Sequence, residues 1–233
     1  MDISRNLEGK APGLALRLHQ RLLMLGLNSL PLLHVSAIGA TLWVSWAPWQ
    51  WRLVAGIAVL YFLPPLTARV VRRLVPIPEG RIPVGTRAFM AWWALANCQM
   101  LFCRLPFLEE LLRIIPGAYS VWLRFWGAHI GRLTYWGAGL RILDRSFLQI
   151  GDDVIFGAAV RLNPHVLTRN EHGDMELHLA SIVIGDRTMV GGYSLLTAGT
   201  EIAGGECTRA CMISPPFSRW ANGRRVTRMD DAR

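Results

Sequence analysis

Three histidines lie close together in the second half of the chain, at His165, His172 and His178. A neutral imidazole can accept a proton from a hydroxyl or an amine that attacks a carbonyl carbon, and backbone amides can stabilise the resulting oxyanion. Three imidazoles can also bind a metal ion. Residue types alone favour a third interpretation, in which His165 is an ordinary surface histidine at a turn. The elements that position it therefore matter.

A period of six residues organises the chain on both sides of these histidines. An apolar residue recurs at every sixth position in the segments 150–166 and 184–206. This spacing fits neither a helix nor an alternating strand. It is typical of short strands wound around a triangular prism, a parallel β-helix in which the apolar residues stack inward and glycine occupies tight corners. The repeated positions are Ile150, Phe156, Leu162, Ile184, Val190, Leu196 and Ile202, with Val154, Val160 and Val166 following four places after the first three.

The polar loop "TRNEHGDMELHLAS", residues 168–181, interrupts this repeat shortly after His165. A β-helix tolerates an insertion only at a corner, where the chain can leave and rejoin the prism without disturbing the stacked core. A weaker form of the period begins near Ile130. The sequence therefore predicts a β-helix over 128–213 with an inserted loop at 168–181.

Two uncharged, apolar runs in the first half are candidates for membrane segments. The first lies between Arg21 and Arg52 and ends in four tryptophans, a residue type that collects at lipid interfaces. The second lies between Arg52 and Arg69, where Pro64 and Pro65 are expected to kink or end a helix that is already short against the roughly 20 residues of a straight span. This second run is predicted either to span or to turn back as a re-entrant hairpin. The alternative for both runs is a pair of buried helices in a soluble domain.

The segment between these runs and the repeat is also apolar. After the linker "VPIPEGRIPVG" come "AFMAWWALANCQMLFC" and "RLPFLEELLRIIPGAYSVWLRFWG". Apolar residues recur at helical spacing in the last of these, which predicts an amphipathic helix along a membrane surface, with a helix packed on the soluble domain as the alternative. The predicted organisation is an N-terminal tail at 1–29, transmembrane and interfacial helices at 30–127, the β-helix, and an extended C-terminal strap at 214–233.

Composition narrows the class of protein. The 233 residues are 52% hydrophobic and carry a net charge of +9 with Lys10 as the one lysine. The arginines flank the apolar runs instead of clustering on one face, which argues against nucleic acid and favours lipid head groups or phosphorylated cofactors. Their placement before and after the pair of apolar runs predicts that both outer ends are cytoplasmic. The four cysteines are interpreted as small apolar residues in a reducing compartment; they are Cys98, Cys103, Cys207 and Cys211.

The segments "WLRFWGAHIGR", "FLQIGDDVIFGAAVRLNPH" and "IVIGDRTMVGG" resemble the hexapeptide-repeat acyltransferases. They are most similar to the C-terminal, membrane-attached region of the peptide-synthetase-like poly-lysine synthetases and their stand-alone relatives. The resemblance covers about 30–202. It implies a mainly β fold, in which a left-handed parallel β-helix forms the C-terminal domain after hydrophobic, transmembrane and interfacial α-helices.

The resemblance also implies the site. His165 matches the family's catalytic general base by its position just before the extruded loop, whereas His172 and His178 are expected to be solvated loop residues. The cleft would lie between subunits of a homotrimer, and the pantetheine arm of coenzyme A would run along the later coils. The residues expected to contact the donor, which could equally be ordinary corner residues, are Gly191, Gly192, Ser194, Ala198, Gly199 and Arg209, with Arg224 and Arg225 as further sources of charge.

The expected function is acyl transfer at a membrane. Acetyl-CoA or another acyl-CoA would donate the acyl group to a hydroxyl or amine, with a carrier protein as the alternative donor, a biosynthetic synthase as a possible partner, and no metal. The expected location is the bacterial inner membrane with the catalytic domain in the cytoplasm. The main alternative is a non-catalytic, trimerising assembly module. A zinc hydratase is a third option, but the His165, His172 and His178 spacing does not resemble that of the γ-type carbonic anhydrases.

Overall fold

Six α-helices precede the repeat in the computed structural model, which describes residues 14, 16–45 and 47–226. Two apolar stretches of 26 residues each, Leu18–Trp43 and Trp49–Leu74, are long and apolar enough to cross a membrane. The helices are α1 (Leu18–Leu27), α2 (Leu30–Trp43), α3 (Trp49–Leu74), α4 (Arg87–Arg104), α5 (Phe107–Ile114) and α6 (Ala118–Trp126).

Sixteen short strands, joined by turns, follow in the rest of the described chain. The strands are β1 (Gly80–Pro83), β2 (His129–Ile130), β3 (Tyr135–Trp136), β4 (Arg141–Ile142), β5 (Leu148–Ile150), β6 (Ile155–Phe156), β7 (Arg161–Asn163), β8 (His165–Arg169), β9 (Met175–Leu179), β10 (Ile182–Ile184), β11 (Met189–Val190), β12 (Leu195–Thr197), β13 (Glu201–Ile202), β14 (Ile213–Ser214), β15 (Arg219–Ala221) and β16 (Arg224–Val226).

Three parallel sheets form the faces of a prism that the chain visits in turn. One face stacks β2, β5, β10, β13 and β15, the second stacks β3, β6 and β11, and the third stacks β4, β7, β12 and β14. This confirms the parallel strands predicted from the period of six. Glycine is required where coils approach closely, because a Cβ on Gly157 would lie 2.4 Å from the backbone N of Gly192.

The repeated apolar residues fill the inside of the prism. Ile150, Phe156 and Leu162 are fully buried. Val166 was predicted as part of this repeat, but it is only half-buried. The reason is that the chain has already left the prism at Pro164 and entered β8, where inward-facing positions no longer exist.

The inserted loop is a β-hairpin that packs on the linker. Strands β8 and β9 pair antiparallel, and β9 also pairs with β1, which lies in the segment predicted to be a plain linker. The carboxylate of Glu79 accepts hydrogen bonds from the Ser181 backbone N at 2.9 Å and from its hydroxyl at 2.5 Å. The loop is therefore anchored at its base instead of lying free in solvent.

The prism also continues beyond residue 213. Strand β15 pairs in parallel with β13 and antiparallel with β16. An extended strap was expected for 214–233; within 214–226 the chain forms this hairpin instead, and 227–233 lie outside the described residues. The hairpin arises because Asn222 and Gly223, both with positive φ, supply a tight two-residue turn between the strands.

Helix α3 passes through Pro64 and Pro65, where a kink or an end was expected. Proline removes the N–H that would bond the carbonyl four residues earlier. In α3 the carbonyl of Tyr61, which Pro65 leaves free, accepts a hydrogen bond from Nε1 of Trp122 at 2.9 Å. A neighbouring helix therefore replaces the missing bond, and α3 continues to Leu74.

The single amphipathic helix expected before the repeat is two helices. Pro116 and Gly117, which has φ 77°, separate α5 from α6. Both helices bury one side, which includes Leu108 and Trp126, against the rest of the molecule. Their other side exposes apolar residues. These are Leu111, Ile114, Ile115 and Val121.

A buried ion pair joins the helices to the first coil. The Arg145 guanidinium is 1% exposed and donates through Nη2 to Glu109 of α5. Its backbone N and Nη1 both donate to Oε1 of Gln99 in α4, at 2.7 and 3.0 Å. Tyr119 of α6 donates its hydroxyl to the other oxygen of Glu109. Burial is the largest single effect and opposes the charge of Arg145, but the effects of Glu109, Cys103 and Tyr119 together outweigh it and raise the pKa of Arg145.

Removing one partner of this pair should destabilise the protein strongly. Arg145→Met removes the closer of the two guanidinium groups that pair with the buried Glu109 carboxylate and leaves only Arg113, at 3.4 Å from Oε2. This loss should cost about 3 kcal/mol, the lower end of the range for breaking a buried pair. The free energy of unfolding in detergent, measured by urea titration of tryptophan fluorescence, checks this. Arg219→Met, which breaks an exposed pair with Glu201, is the matched control and should cost under about 1 kcal/mol. Equal stability of Arg145→Met and the unaltered protein would contradict the expectation.

Candidate functional site

Asp144 and His165 form a hydrogen-bonded pair at one corner of the prism. Nδ1 of His165 contacts Oδ2 of Asp144, and Oδ1 of Asp144 accepts a hydrogen bond from Nε1 of Trp92 at 3.0 Å. A carboxylate can only accept hydrogen bonds, so the proton of the neutral imidazole lies on Nδ1 and the lone pair on Nε2. Within residues 16–45 and 47–226, Nε2 has no hydrogen-bond partner. The imidazole is thus oriented through one nitrogen and free at the other.

The stacking of two coils brings these side chains together. Ile142 of β4 lies opposite Leu162 of β7, so the corner after β4 stacks on the corner after β7. Asp144 turns the first corner with φ 48°, a left-handed conformation that aspartate adopts more readily than most residues. His165 follows Pro164 at the second corner, where the chain leaves for the hairpin. The prism therefore fixes the pair, although the two residues are 21 positions apart.

Helix α4 closes the pair from the other side. The Trp92 ring meets the imidazole edge-on, with centroids 4.9 Å apart and an angle of 65° between the planes. The side chain of Asp144 is 2% exposed, whereas that of His165 is 23% exposed. A buried carboxylate held by an indole N–H therefore supports a histidine that solvent or a ligand can still reach.

Two opposing effects set the pKa of His165. Burial lowers it, because the charged imidazole loses water, whereas the charge of Asp144 and the hydrogen bond to it raise it. The raising effects are larger together, so the pKa lies above the ordinary value of 6.5. The neutral imidazole that a general base requires is consequently favoured only as the pH rises past this higher pKa.

His165 lies at the edge of a cavity of about 730 Å³ between the prism and the helices. The size is typical of a small-molecule site. Helix α4, the turn between α1 and α2, and the first two coils contribute the walls. The lining residues are Asn28, Pro31, Trp92, Trp93, Ala96, Asn97, Gln99, Met100, Cys103, Arg104, Leu143, Asp144, His165 and Leu167.

The residues predicted to contact the donor divide between two corners of the prism. Ala198 and Gly199 turn the corner after β12, which stacks directly on the corner after β7 that carries His165. The other four, Gly191, Gly192, Ser194 and Arg209, surround the corner between β11 and β12 and the coil stacked on it.

Several of these residues also serve the coil itself. The Ser194 hydroxyl is buried and donates to the carbonyl of Gly191 at 2.7 Å, and the side chain of Ala198 is fully buried. A Cβ on Gly191 would lie 2.4 Å from the backbone of Arg209, which is itself exposed. Gly191, Ser194 and Ala198 are therefore needed by the coil itself, as ordinary corner residues would be, whether or not they contact a donor.

A second cavity of about 960 Å³ lies beside Gly199. Gly199 has φ 67°, and the ring of Phe217 packs against its Cα side. The cavity is more polar than the one at His165, and its walls include Gln149, Glu201, Ser218, Arg219 and Arg225.

The other two histidines do not converge on His165. His178 lies on β9 and contacts Glu176 through Nε2 at 2.6 Å, with its ring 5.4 Å from that of Phe217. It is partly buried, not solvated as expected, because β9 is the central strand of the antiparallel sheet. His172 lies in the hairpin turn. Among the described residues, no group of three or more His, Cys, Asp or Glu could hold a metal ion.

The pKa of His165 should depend on Asp144. Asp144→Asn keeps the side-chain shape and an acceptor for Trp92, and asparagine also tolerates the left-handed backbone. With the carboxylate removed, the lowering effect of burial remains and the pKa should fall from above 6.5 to below it. The pH dependence of His165 modification by diethyl pyrocarbonate, located by mass spectrometry, measures this pKa. Asp153→Asn changes an exposed corner aspartate with φ 56° and should leave the profile unaltered; an unshifted profile in Asp144→Asn would contradict the expectation.

The sequence matches no protein-family model. No curated protein matches the sequence either. Among solved structures it is similar to a maltose O-acetyltransferase from Clostridium difficile 630, with 16% identity and a TM-score of 0.40 over 57% of this chain and 87% of that one. It is also similar to a hexapeptide-repeat acetyltransferase from Vibrio cholerae O1 biovar eltor complexed with acetyl coenzyme A. The identity is 15% and the TM-score 0.36, over 57% of this chain and 88% of that one. A third similar structure is a serine acetyltransferase from Entamoeba histolytica in complex with cysteine. The identity is 12% and the TM-score 0.30, over 90% of this chain and 86% of that one. Likeness at this level does not assign the chain to a family.

Proposed function

We propose that the chain is a membrane-associated acyltransferase with a left-handed β-helix as its catalytic domain. It would move an acyl group from a pantetheine thioester to a hydroxyl or an amine. The observation that carries this proposal is the Asp144–His165 pair, in which one imidazole nitrogen is held by a buried carboxylate and the other is free beside a cavity. A general base requires this combination of fixed orientation and an open lone pair.

The proposed reaction follows from that geometry. The acceptor's O–H or N–H gives its proton to Nε2 of His165 as the oxygen or nitrogen attacks the thioester carbon. The Asp144 carboxylate stabilises the imidazolium that forms. The tetrahedral intermediate then expels the thiolate, which takes the proton from Nε2, and the histidine is neutral again. The products are the acylated acceptor and a free thiol.

We assign the donor to the side of the prism that carries Gly199. The cavity there lies at the same corner as His165, and Arg219 and Arg225 in its walls suit phosphate groups. Coenzyme A and a carrier protein present the same pantetheine thioester, and both remain candidate donors. Arg209, Gly191 and Gly192 lie at the other corner of this face, and we propose that they reach the donor from a neighbouring subunit.

The membrane association rests on surface chemistry. Only 11% and 22% of the two candidate spans is buried within the described chain, so their apolar side chains face outward. We propose that they lie in a bacterial inner membrane and that the arginine-flanked ends place the β-helix in the cytoplasm, where coenzyme A is available.

The proposed trimer has an experimental signature. Ile213 lies on β14, and Tyr193 lies in the turn just before β12 on the same face of the prism. Both side chains are about 70% exposed, and a homo-oligomer would bury such residues. Native mass spectrometry in detergent should give three times the chain mass of 26.1 kDa. Tyr193→Ser with Ile213→Asp should dissociate it, whereas Leu133→Ser, at an equally exposed position on the first coil, should not. A monomer at micromolar concentration would refute the assembly.

Replacement of His165 tests the catalytic role. His165→Asn retains an N–H that can donate to Asp144 but cannot accept a proton at neutral pH, so turnover should fall by roughly a hundredfold to ten-thousandfold. His165→Ala should be as poor. The measurement is transfer of radiolabelled acetyl from acetyl-CoA to dodecylamine and dodecylglycerol in detergent.

The controls for this experiment are the other loop histidines. His172→Ala and His178→Ala should cost less than about tenfold, because neither side chain contacts the cavity at His165. Binding of coenzyme A, measured by calorimetry, should persist in all four variants. Full turnover in His165→Asn, or no binding of coenzyme A to the unaltered protein, would favour the non-catalytic assembly module instead.

A further inference from the structure

The cavity at His165 has an apolar wall that faces the membrane helices. Trp92, Trp93, Ala96 and Met100 line it from α4, and Pro31 lines it from the first turn of α2. These side chains offer little to a sugar or an amino acid, which would lose hydrogen bonds to water on entry. They suit the carbon chain next to the head group of an amphiphile.

The mouth of this cavity is continuous with the surface of the candidate spans. Asn28 and Pro31, which line the cavity, are flanked in sequence by Leu25, Leu32 and Leu33, whose side chains are 59–68% exposed. Large apolar side chains exposed in a row on candidate membrane helices are expected to contact lipid. The cavity therefore opens beside the surface that the bilayer would cover.

The turn that frames the mouth is held in place. Oδ1 of Asn28 accepts hydrogen bonds from Nε1 of Trp93 at 2.8 Å and from Nδ2 of Asn97 at 3.3 Å. Both donors lie on α4, one turn apart, so the junction between α1 and α2 is tied to the wall of the cavity. The opening is thus a fixed feature of the described chain.

One unpaired charge lines the cavity. Arg104, the last residue of α4, is exposed, and its side chain makes no hydrogen bond or ion pair with any residue in 16–45 or 47–226. The other charged group in the wall, Asp144, is engaged by His165 and Trp92. An anion near the rim would therefore meet a free guanidinium and no free carboxylate from the lining residues, and guanidinium binds phosphate oxygens in pairs.

We infer that the acceptor is a membrane amphiphile with a phosphate in its head group. Its chain stays in the bilayer, its hydroxyl or amine reaches Nε2 of His165, and its phosphate binds Arg104. A volume of about 730 Å³ holds a head group and the first carbons of a chain, while the rest remains in lipid. The acyl-transfer step in this inference rests on the proposed function, but the binding does not.

Cysteine protection tests the binding with no donor present. Leu167 lines the cavity and is 39% exposed, so Leu167→Cys introduces a reactive thiol there. Cys207 and Cys211 are exposed, do not line the cavity and serve as internal references, whereas burial raises the pKa of Cys98 to about 12 and keeps that thiol unreactive. Cys103 lines the cavity and is partly exposed, so its alkylation is followed as a second reporter of the same site. The rate of alkylation at each cysteine is followed by mass spectrometry in neutral detergent.

Three probes separate the parts of the proposed ligand. Dodecylglycerol phosphate carries chain, hydroxyl and phosphate; dodecylglycerol lacks the phosphate, and glycerol phosphate lacks the chain. The first should protect the introduced thiol at concentrations about tenfold lower than the second, the scale of one charge-assisted contact. Glycerol phosphate should not protect it, and Cys207 should react at the same rate throughout.

Arg104→Gln should abolish the tenfold advantage of the phosphate probe, and Arg132→Gln, which removes an exposed arginine outside the cavity, should retain it. Equal protection by dodecylglycerol and its phosphate, protection by glycerol phosphate alone, or protection by no probe would each overturn the inference. Protection without any acyl transfer would overturn the proposed function and leave the binding of a phosphate-bearing amphiphile standing.

Discussion

The buried pair of Arg145 and Glu109 holds the two halves of the molecule in one arrangement. Burying two charges is costly unless neighbouring groups bond to them, and here Gln99, Tyr119 and Arg113 do so, while Nε of Arg145 has no hydrogen-bond partner among the described residues. Arg145 directly follows Asp144 in the chain. The bonds of Arg145 to α4 and α5 therefore also fix the backbone position of Asp144. Because Asp144 is hydrogen-bonded to His165, the orientation of the imidazole depends on those bonds.

The helices consequently do more than anchor the prism. Trp92 of α4 donates to Asp144 and packs against His165, and α4 and α2 supply much of the cavity wall. A hydrogen-bonded pair that lay on the coils alone would be open to water. The helical half limits that access and places an apolar surface at the opening, so this apolar surface and the geometry at His165 are properties of the same packing.

Much of the fold could be predicted from the sequence, because one buried residue per short strand leaves a period of six that no other element produces. Asp144 and Trp92 could not be found in this way. The period marks inward residues such as Ile142 and Leu162, whereas the partner of His165 lies at a corner one coil earlier, and Trp92 meets them from a distant helix. Stacking the corners by counting from Ile142 and Leu162 would have brought Asp144 close to Pro164 and His165. The pairing of β1 with β9 could not be predicted either. The two strands are about one hundred residues apart in the sequence, and β1 is not part of the repeat.

The order of the elements along the chain has a consequence for biogenesis. Helices α1 to α4 leave the ribosome before Asp144 and His165 are made, so the apolar helices must be accommodated while the coils are still absent. Helix α4 exposes apolar surface at that stage, since in the finished protein Phe102 packs against Trp122 and Trp126 of α6, which follows it in the chain. The coils then assemble against a helix that is already positioned. The site at His165 is therefore completed only after the helices that wall its cavity have been synthesised.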